Sequence, residues 1–287
     1  MSTLTLCDAP MVTNLAGDNN YFQRMRSSLS DKSALIDELP DSGVVLDVGC
    51  GDGALMRRLS SSGFEVRGVD ASPESVRRSG VGAVLGYADE VSHLFPPRSF
   101  DAVICSSVFH EVFSYGNGDG VIGDVRSIGN ALDALVSVMK PGAVLVVRDG
   151  VHPGNEVVTM KADADAVHRF LEHSPFVPGS LSSPPYPTSR TIALSQVGED
   201  TFRGSASSVM EFMFTHTWGP SSFTREVQEF YGIFNREEYA RFVCSHGFEL
   251  VDSFEYVQDG YVQHLRGKVD IDCEFPSTNA VWSYVLS

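Results

Sequence analysis

The sequence is short of positive charge: 21 lysines and arginines stand against 37 aspartates and glutamates, for a formal net charge of −16. Such a surface repels phosphate backbones and anionic lipid headgroups, which argues against DNA or a membrane surface as partner. No run approaches the roughly 18 to 20 apolar residues that a membrane-spanning helix requires. The opening residues, MSTLTLCDAPMV, have neither the basic stretch nor the apolar run of a secretory signal. Cysteine is scarce and unpatterned. Cys7, Cys50, Cys105, Cys244 and Cys273 are odd in number and contain no CxxC pair, which disfavours both a disulfide framework and a zinc site. Reduced thiols and a cytoplasmic location are the expectation. What the chain does have is apolar residues, 43% of 287, enough to bury the core of a large α/β domain.

Apolar runs of strand length alternate with helix-length segments through the first half, the pattern of a parallel sheet covered on both faces. Residues 18–39 read as helical and end at Pro40. Val44 to Val48 reads as a first strand, 53–61 as a helix and Phe64 to Val69 as a second strand. Pro73 sits in the first turn of another helix, where a missing N–H costs little. Val81 to Gly86 and Phe100 to Ser106 are the third and fourth strands. A helix from Val121 to Met139 is broken by Lys140-Pro-Gly142, and Ala143 to Arg148 is the fifth strand. After Asp149 about a hundred residues pass before the next strand, Phe248 to Tyr256, and Asn279 to Leu286 closes the chain. That gap reads as helical near 155–173, 206–216 and 222–231, around a Pro/Ser-rich stretch.

The segment Val44-Val-Leu-Asp-Val-Gly-Cys-Gly-Asp-Gly53 runs from a buried strand through a glycine turn into a helix. Gly49 and Gly51 allow a tight turn and close approach of a ligand, and the following helix starts with free N–H groups. Glycine spacing alone leaves the cofactor open, since Gly49, Gly51 and Ala54 also satisfy the dinucleotide pattern. Three further signals follow in order. Asp70 ends the second strand, where a carboxylate can accept ribose hydroxyls. Asp89 follows the third, placed to accept from an exocyclic amine. Asp101 and Lys140 stand at the openings of the fourth and fifth strands. For Asp70 and Asp89, helix capping is the competing explanation.

Over residues 20–150, and again in the last two strands, this series resembles the class I S-adenosylmethionine-dependent methyltransferases. The resemblance implies a Rossmann-like, doubly wound seven-stranded sheet of order 3-2-1-4-5-7-6 with the last strand antiparallel. It divides the chain into an N-terminal helical lid (1–40), a cofactor-binding core (41–150), a helical insertion capping the acceptor site (151–247) and C-terminal strands (248–287). Carried over residue by residue, it assigns Asp47, Gly49, Cys50 and Gly51 to the methionine part of S-adenosylmethionine. Asp70 and Ala71 fall to the ribose, Ala88 and Asp89 to the adenine, and Ser106 to the neighbourhood of the sulfonium. Tyr21 and Arg24 stand where related enzymes place a closing helix.

Chemistry is expected after the fourth strand. Methyl transfer is a displacement at a carbon already activated by the sulfonium, so the protein has to align the acceptor and remove its proton. His110 is suited to that proton transfer, with Glu111 orienting it or binding an amine. Asp149 and His152 lie on the same edge but read equally well as a turn and a surface histidine. His216, Trp218 and the run Arg225 to Tyr231 read best as helix packing. Ser183-Pro-Pro-Tyr186 spells a tetrapeptide of amino-methylating enzymes but stands in the wrong place, far from the fourth strand. Asp163, Asp165 and His168 do not share one helix face, so no metal is expected.

The expected function is methyl transfer to an oxygen or nitrogen of a small molecule, with room for a homodimer. The alternatives are a peptide, protein or RNA methyltransferase, a non-catalytic S-adenosylmethionine-binding subunit, and a nicotinamide oxidoreductase. Thermal unfolding separates the cofactors. S-adenosylhomocysteine at a hundred times its Kd should add about 2.7 kcal/mol of stability. Asp70→Ala should abolish the shift, and NAD should give none; a shift with NAD alone would remove the methyltransferase reading.

Overall fold

The computed structural model describes Lys32 and residues 34–80, 82–118 and 120–287. Tyr21 and Arg24 lie outside the described residues, as does Cys7. Cys50, Cys105, Cys244 and Cys273 are free thiols. Among the described residues no helix is long and apolar enough to cross a membrane.

The strands are β1 (Val44–Val48), β2 (Glu65–Asp70), β3 (Ala83–Leu85), β4 (Phe100–Ser106), β5 (Met139–Gly150), β6 (Val157–Ala162), β7 (Leu194–Gly198), β8 (Thr201–Ser205), β9 (Phe248–Tyr256), β10 (Val269–Ile271) and β11 (Asn279–Leu286). The helices are α1 (Ala34–Asp37), α2 (Ala54–Ser61), α3 (Pro73–Ser79), α4 (Val91–Leu94), α5 (Phe109–Tyr115), α6 (Val125–Val138), α7 (Ala164–His173), α8 (Ala206–Thr217), α9 (Phe223–Glu226), α10 (Arg236–Cys244) and α11 (Tyr261–Leu265). A seven-stranded sheet runs β3-β2-β1-β4-β5-β11-β9, with β11 antiparallel to both neighbours. This is the expected order, with β11 and β9 as the seventh and sixth strands of the series.

The sheet separates two apolar layers. One face of β1, β4 and β5 packs Val45, Ala102, Ile104 and Val146 with α2 residues Leu55, Met56 and Leu59. The opposite face packs Leu46, Val48, Val103, Cys105, Leu145 and Val147 with α5, α6 and much of the insertion. Strand alternation assigns each residue to its layer. Asp101 and Lys140 meet at the amino end of the sheet, Lys140 Nζ donating to Asp101 Oδ1 at 2.7 Å while Asp101 Oδ2 accepts from Val44 N–H at 2.9 Å. The lysine hydrogen bond and this N–H hold the Asp101 carboxyl below its usual range. Both residues tie strands together at the edge opposite the glycine turn.

The insertion departs from the helical expectation. Residues 157–162 form β6, which joins β10, β8 and β7 in a four-stranded antiparallel sheet. In VVTMKA the side chains of Val158, Met160 and Ala162 are buried while Val157 and Lys161 are exposed, a period of two and not of 3.6. Asp163 then caps α7 by accepting from Ala166 N–H at 2.8 Å, which starts the helix only at Ala164. Val158, Met160, Ala162 and Phe202 from this small sheet are buried in the same core as α5 and α6. Residues 222–231 hold one helical turn, α9, followed by a segment whose backbone N–H groups bond to side chains of α5 and α8. The long helix before β5 begins later than Val121, because Asp124 caps it by accepting from Arg126 N–H at 2.9 Å.

Gly68 of β2 has no room for a side chain. A Cβ there would stand 2.7 Å from Met56 Sδ and 2.8 Å from Cys50 Sγ. Its backbone is not in the left-handed region, so Gly68→Ala tests packing without added strain. The substitution should cost about 1–3 kcal/mol, read as a lower urea midpoint at unchanged m-value.

Candidate active site

The glycine turn is built by constraint. Gly49 has φ +70°, and a Cβ on it would stand 2.7 Å from Val108 Cγ2 at the head of α5. Gly51 has φ +54°. The N–H groups of Gly49 and Cys50 both donate to Val69 O, at 2.8 and 3.1 Å, and fasten the turn to β2. Asp70 closes it from the other side, accepting from Gly51 N–H through Oδ2 and Ser72 N–H through Oδ1, each at 2.8 Å. Burial pushes the Asp70 carboxyl up, against these two N–H groups.

Beside this turn lies a cleft lined by Gly49, Asp70, Ala71, Ala88, Tyr87, Val108, Glu111, Val112, Tyr115 and Asn117. The lining is apolar with a few polar groups among it, the make-up of a small-ligand site. The structure thus brings Gly49, Asp70, Ala71 and Ala88 to one cleft. Asp89 is half-buried in the 3₁₀ turn Ala88–Glu90 next to it. Cys50 turns its thiol away into the α2 layer against Met56, and burial raises its pKa. Asp47 and Ser106 sit on the α2 side of the sheet; Asp47 Oδ2 and Ser106 Oγ are buried and have no hydrogen-bond partner among the described residues. Tyr87 and Asn117 also line the cleft, and no motif in the sequence marks them.

On the other side of β5 the insertion meets α5. His110 Nδ1 faces Asp149 Oδ1 at 2.6 Å, and Asp149 Oδ2 accepts from the His110 N–H at 3.1 Å. Gly150 N–H also donates to Asp149, at 2.9 Å. His110 Nε2 faces Glu229 Oε2 at 3.6 Å, an ion-pair separation longer than a hydrogen bond. Tyr115 OH donates to Glu229 Oε1 at 2.9 Å. Tyr231 stacks on the His110 ring, with centroids 5.0 Å apart and planes at 26°, and Phe214 stacks on Tyr231 in turn. Burial opposes the imidazolium, but the hydrogen bond to Asp149 and the charges of Asp149 and Glu229 outweigh it and raise the His110 pKa well above its ordinary value. Burial and the nearby Glu229 charge push Glu111 up as well.

The run Arg225 to Tyr231, which reads in sequence as packing, therefore supplies half of this site. Glu226 binds Arg225 Nη2 at 2.7 Å and accepts from Tyr231 OH. Glu211 of α8, fully buried, accepts from the N–H groups of Tyr231 and Gly232 at 2.8 and 2.7 Å. Burial moves its carboxyl up to about 7 against those two donors. The other candidates fall elsewhere. His152 faces Glu238 at 3.2 Å, His216 stacks on Phe212, and Tyr186 bonds Ile122 N–H and Gly120 O. His110, Glu111 and Glu229 each offer one ligand atom within 4.8 Å of the others, a spacing that a divalent ion accepts and that an imidazolium between carboxylates also satisfies.

Residues 20–253 match the model of a family described as a methyltransferase domain. The chain belongs to that family. Over 121 residues it is 34% identical to 2-methyl-6-phytyl-1,4-hydroquinone methyltransferase of Synechocystis sp., a match covering 40% of this chain and 34% of the relative. Over 114 residues it is 35% identical to tRNA U34 carboxymethyltransferase of Hahella chejuensis, covering 39% and 33%. The matches thus span about a third of the length of these curated relatives. Among solved structures, a Thermotoga maritima protein described as a possible histamine N-methyltransferase superposes with a TM-score of 0.54 at 13% identity, covering 96% of this chain and 99% of that one. A Methanosarcina mazei methyltransferase gives 0.50 at 16% identity, covering 88% and 96%. At such identities the likeness concerns the fold. Family, sheet order and glycine turn together make this a class I S-adenosylmethionine-dependent methyltransferase fold, with S-adenosylmethionine as its cofactor.

The residues present fit that cofactor: an apolar slot between Ala88 and Val112, a carboxylate at Asp70, and a glycine at position 49 where a Cβ would meet Val108. Glu211 holds the wall behind His110. Glu211→Ala should strand two buried N–H groups and cost about 2–4 kcal/mol in urea unfolding. A loss below 0.5 kcal/mol would mean that the segment finds other partners.

Proposed function

We propose that the protein transfers the methyl group of S-adenosylmethionine to an oxygen or nitrogen of a small-molecule acceptor, with His110 as the proton acceptor. The observation that carries this reading is the His110–Asp149 contact at 2.6 Å, one residue along α5 from Glu111 of the cleft wall. Asp149 accepts the Nδ1 proton in a hydrogen bond and leaves Nε2, 3.6 Å from Glu229 Oε2, as the nitrogen that accepts a proton, the arrangement by which a carboxylate orients a general base. Cofactor chemistry supplies the electrophilic methyl; the chain's part is to hold the acceptor in line and take its proton. Glu111, on the cleft wall, is placed to receive a hydroxyl or ammonium group of the acceptor.

A small acceptor is favoured by the wall itself. Tyr231, Phe214 and Tyr115 close the His110 side with stacked rings and a buried hydroxyl, and Asp149, Glu111, Glu226 and Glu229 surround it with carboxylates. An RNA backbone would bring phosphates against those carboxylates, at a cost that low ionic strength increases. The tRNA-modifying relative supplies the competing reading, so RNA belongs in the test.

Methyl-labelled S-adenosylmethionine is incubated with a panel of phenols, hydroquinones and primary amines, and with bulk tRNA. Label should pass to a small molecule. His110→Gln should slow transfer by about 10²–10⁴-fold while S-adenosylhomocysteine binds as before. Because only neutral His110 accepts a proton, and its pKa is raised, the rate should climb with pH through a value above the ordinary histidine range and then level off. Glu229→Gln removes one of the charges that hold the proton, so that limb should move to lower pH. EDTA should leave the rate unchanged. Label on tRNA alone, or full turnover in His110→Gln, would overturn the reading.

A further inference from the structure

A second hollow, of about 650 Å³, lies at one end of the small antiparallel sheet, between the start of α7, the turn from β7 to β8 and the loop from α11 to β10. It shares no lining residue with the cleft beside the glycine turn. Lys161, Arg266 and Lys268 line it. All three are exposed, and none has a carboxylate within ion-pair distance among the described residues. Arg67, Arg77 and Arg126, also exposed, each find one at 2.6–2.8 Å.

Three aspartates share the wall. Asp163 accepts from Ala166 N–H at 2.8 Å and Asp200 from Ala164 N–H at 3.2 Å, so both carboxylates are engaged in starting α7. Asp270 stands opposite Lys161 in the register of β6 and β10 without pairing with it. The positive field reaches the end of α8, where burial, the Lys268 charge and His264 together push the His216 pKa down. Val262 and Leu265 of α11, with Phe275, supply the apolar part of the wall and are buried or half-buried. Charge therefore stands at the mouth and apolar surface beneath it, which suits an organic anion better than a bare ion. Three cations at one opening match the nearly double charge of a phosphate monoester.

A file of rings leads from this hollow to the acceptor side. Phe275 lies against Tyr261 of α11 with centroids 6.3 Å apart, and Tyr261 meets Phe214 of α8 edge-on at 5.7 Å and 72°. Phe214 stacks on Tyr231 and Tyr231 on His110. Phe214, Tyr231 and His110 are buried, and a close-packed interior has little room to absorb a displacement. We propose that the hollow is an effector site for a small phosphate monoester, whose phosphate is held by Lys161, Arg266 and Lys268 and whose organic body lies on Val262, Leu265 and Phe275, and that occupancy is felt at His110 through these rings. The inference does not rest on the chemistry assigned to His110, whose ring serves here as a reporter.

Calorimetric titration of the full chain compares phenyl phosphate with inorganic phosphate. Phenyl phosphate should bind about tenfold more tightly, because its ring covers apolar wall. The double variant Lys161→Ala/Lys268→Ala, altered only at exposed positions, should weaken it about tenfold, and saturating S-adenosylhomocysteine should not displace it. Histidine ring resonances in the NMR spectrum supply the second reading, with His110 assigned by its loss in His110→Gln. Saturation with phenyl phosphate should shift His216 and His264 beside the hollow and His110 at the far end of the rings; in Phe214→Leu the first two shifts should remain and the third vanish. No binding, equal affinity for the two probes, or full affinity in the double variant would overturn the proposal. Displacement by S-adenosylhomocysteine would move the ligand to the cofactor cleft and refute it as well. So would a bound probe that leaves the His110 resonances in place, or a His110 shift that survives in folded Phe214→Leu.

Discussion

The arrangement turns on one topological constraint: β1 lies inside the sheet between β2 and β4, and the chain leaves it on one face and returns on the other. The helix after β1 belongs to the layer of Val45, Ile104 and Val146, while the helices after β4 belong to the layer of Leu46, Val103 and Val147. Connections that part in this way leave the carboxyl ends of the two strands uncovered, and a crevice forms where nothing fills the space. Asp70, Glu111, Tyr115 and Asn117 border that crevice. Gly49 is forced by it, because the turn out of β1 has to pass against Val108 at the start of α5 with no room for a side chain.

The core half of the chain was legible because parallel strands buried on both faces leave short apolar runs, and because the ends of those runs carry the same few residue types. Gly49 and Asp70, which line the cleft, are legible from the strand ends together with the family resemblance, since the glycine spacing by itself fits two cofactors. The site on the other side of β5 could not. Glu229, Glu226 and Tyr231 reach His110 through a segment that has one helical turn and is held by side chains of distant helices, Ser114 Oγ on Phe230 N–H and Glu211 on Tyr231 and Gly232. No periodicity announces such a segment. Its only signal is compositional: two glutamates flanked by aromatic residues. β6 was read as helix for a related reason, since six residues of alternating burial are too few to outweigh the helical pattern of α7 that follows them.

The insertion also changes the electrostatics of the fold. Glu211, Glu226 and Glu229 are all less than 5% exposed, and each is held by specific donors: backbone N–H groups, an arginine, a tyrosine hydroxyl or the imidazole. Buried carboxylates need such partners, so the segment from Arg225 to Gly232 has little freedom to move without leaving a charge unpaired. Rigidity here comes from polar satisfaction more than from apolar packing.

β5 has a further consequence for how this fold can diversify. Successive residues of a strand face opposite ways, so Arg148 and Asp149 belong to different layers although one peptide bond joins them. Pairing with β4 on one side and with β11 on the other fixes which residue faces which layer, since a slip of one position would exchange them. The strand works as a partition wall with separate fittings on each side. A lineage can therefore rebuild the layer on the Asp149 side, where the insertion packs, while the α2 layer on the Arg148 side is inherited intact.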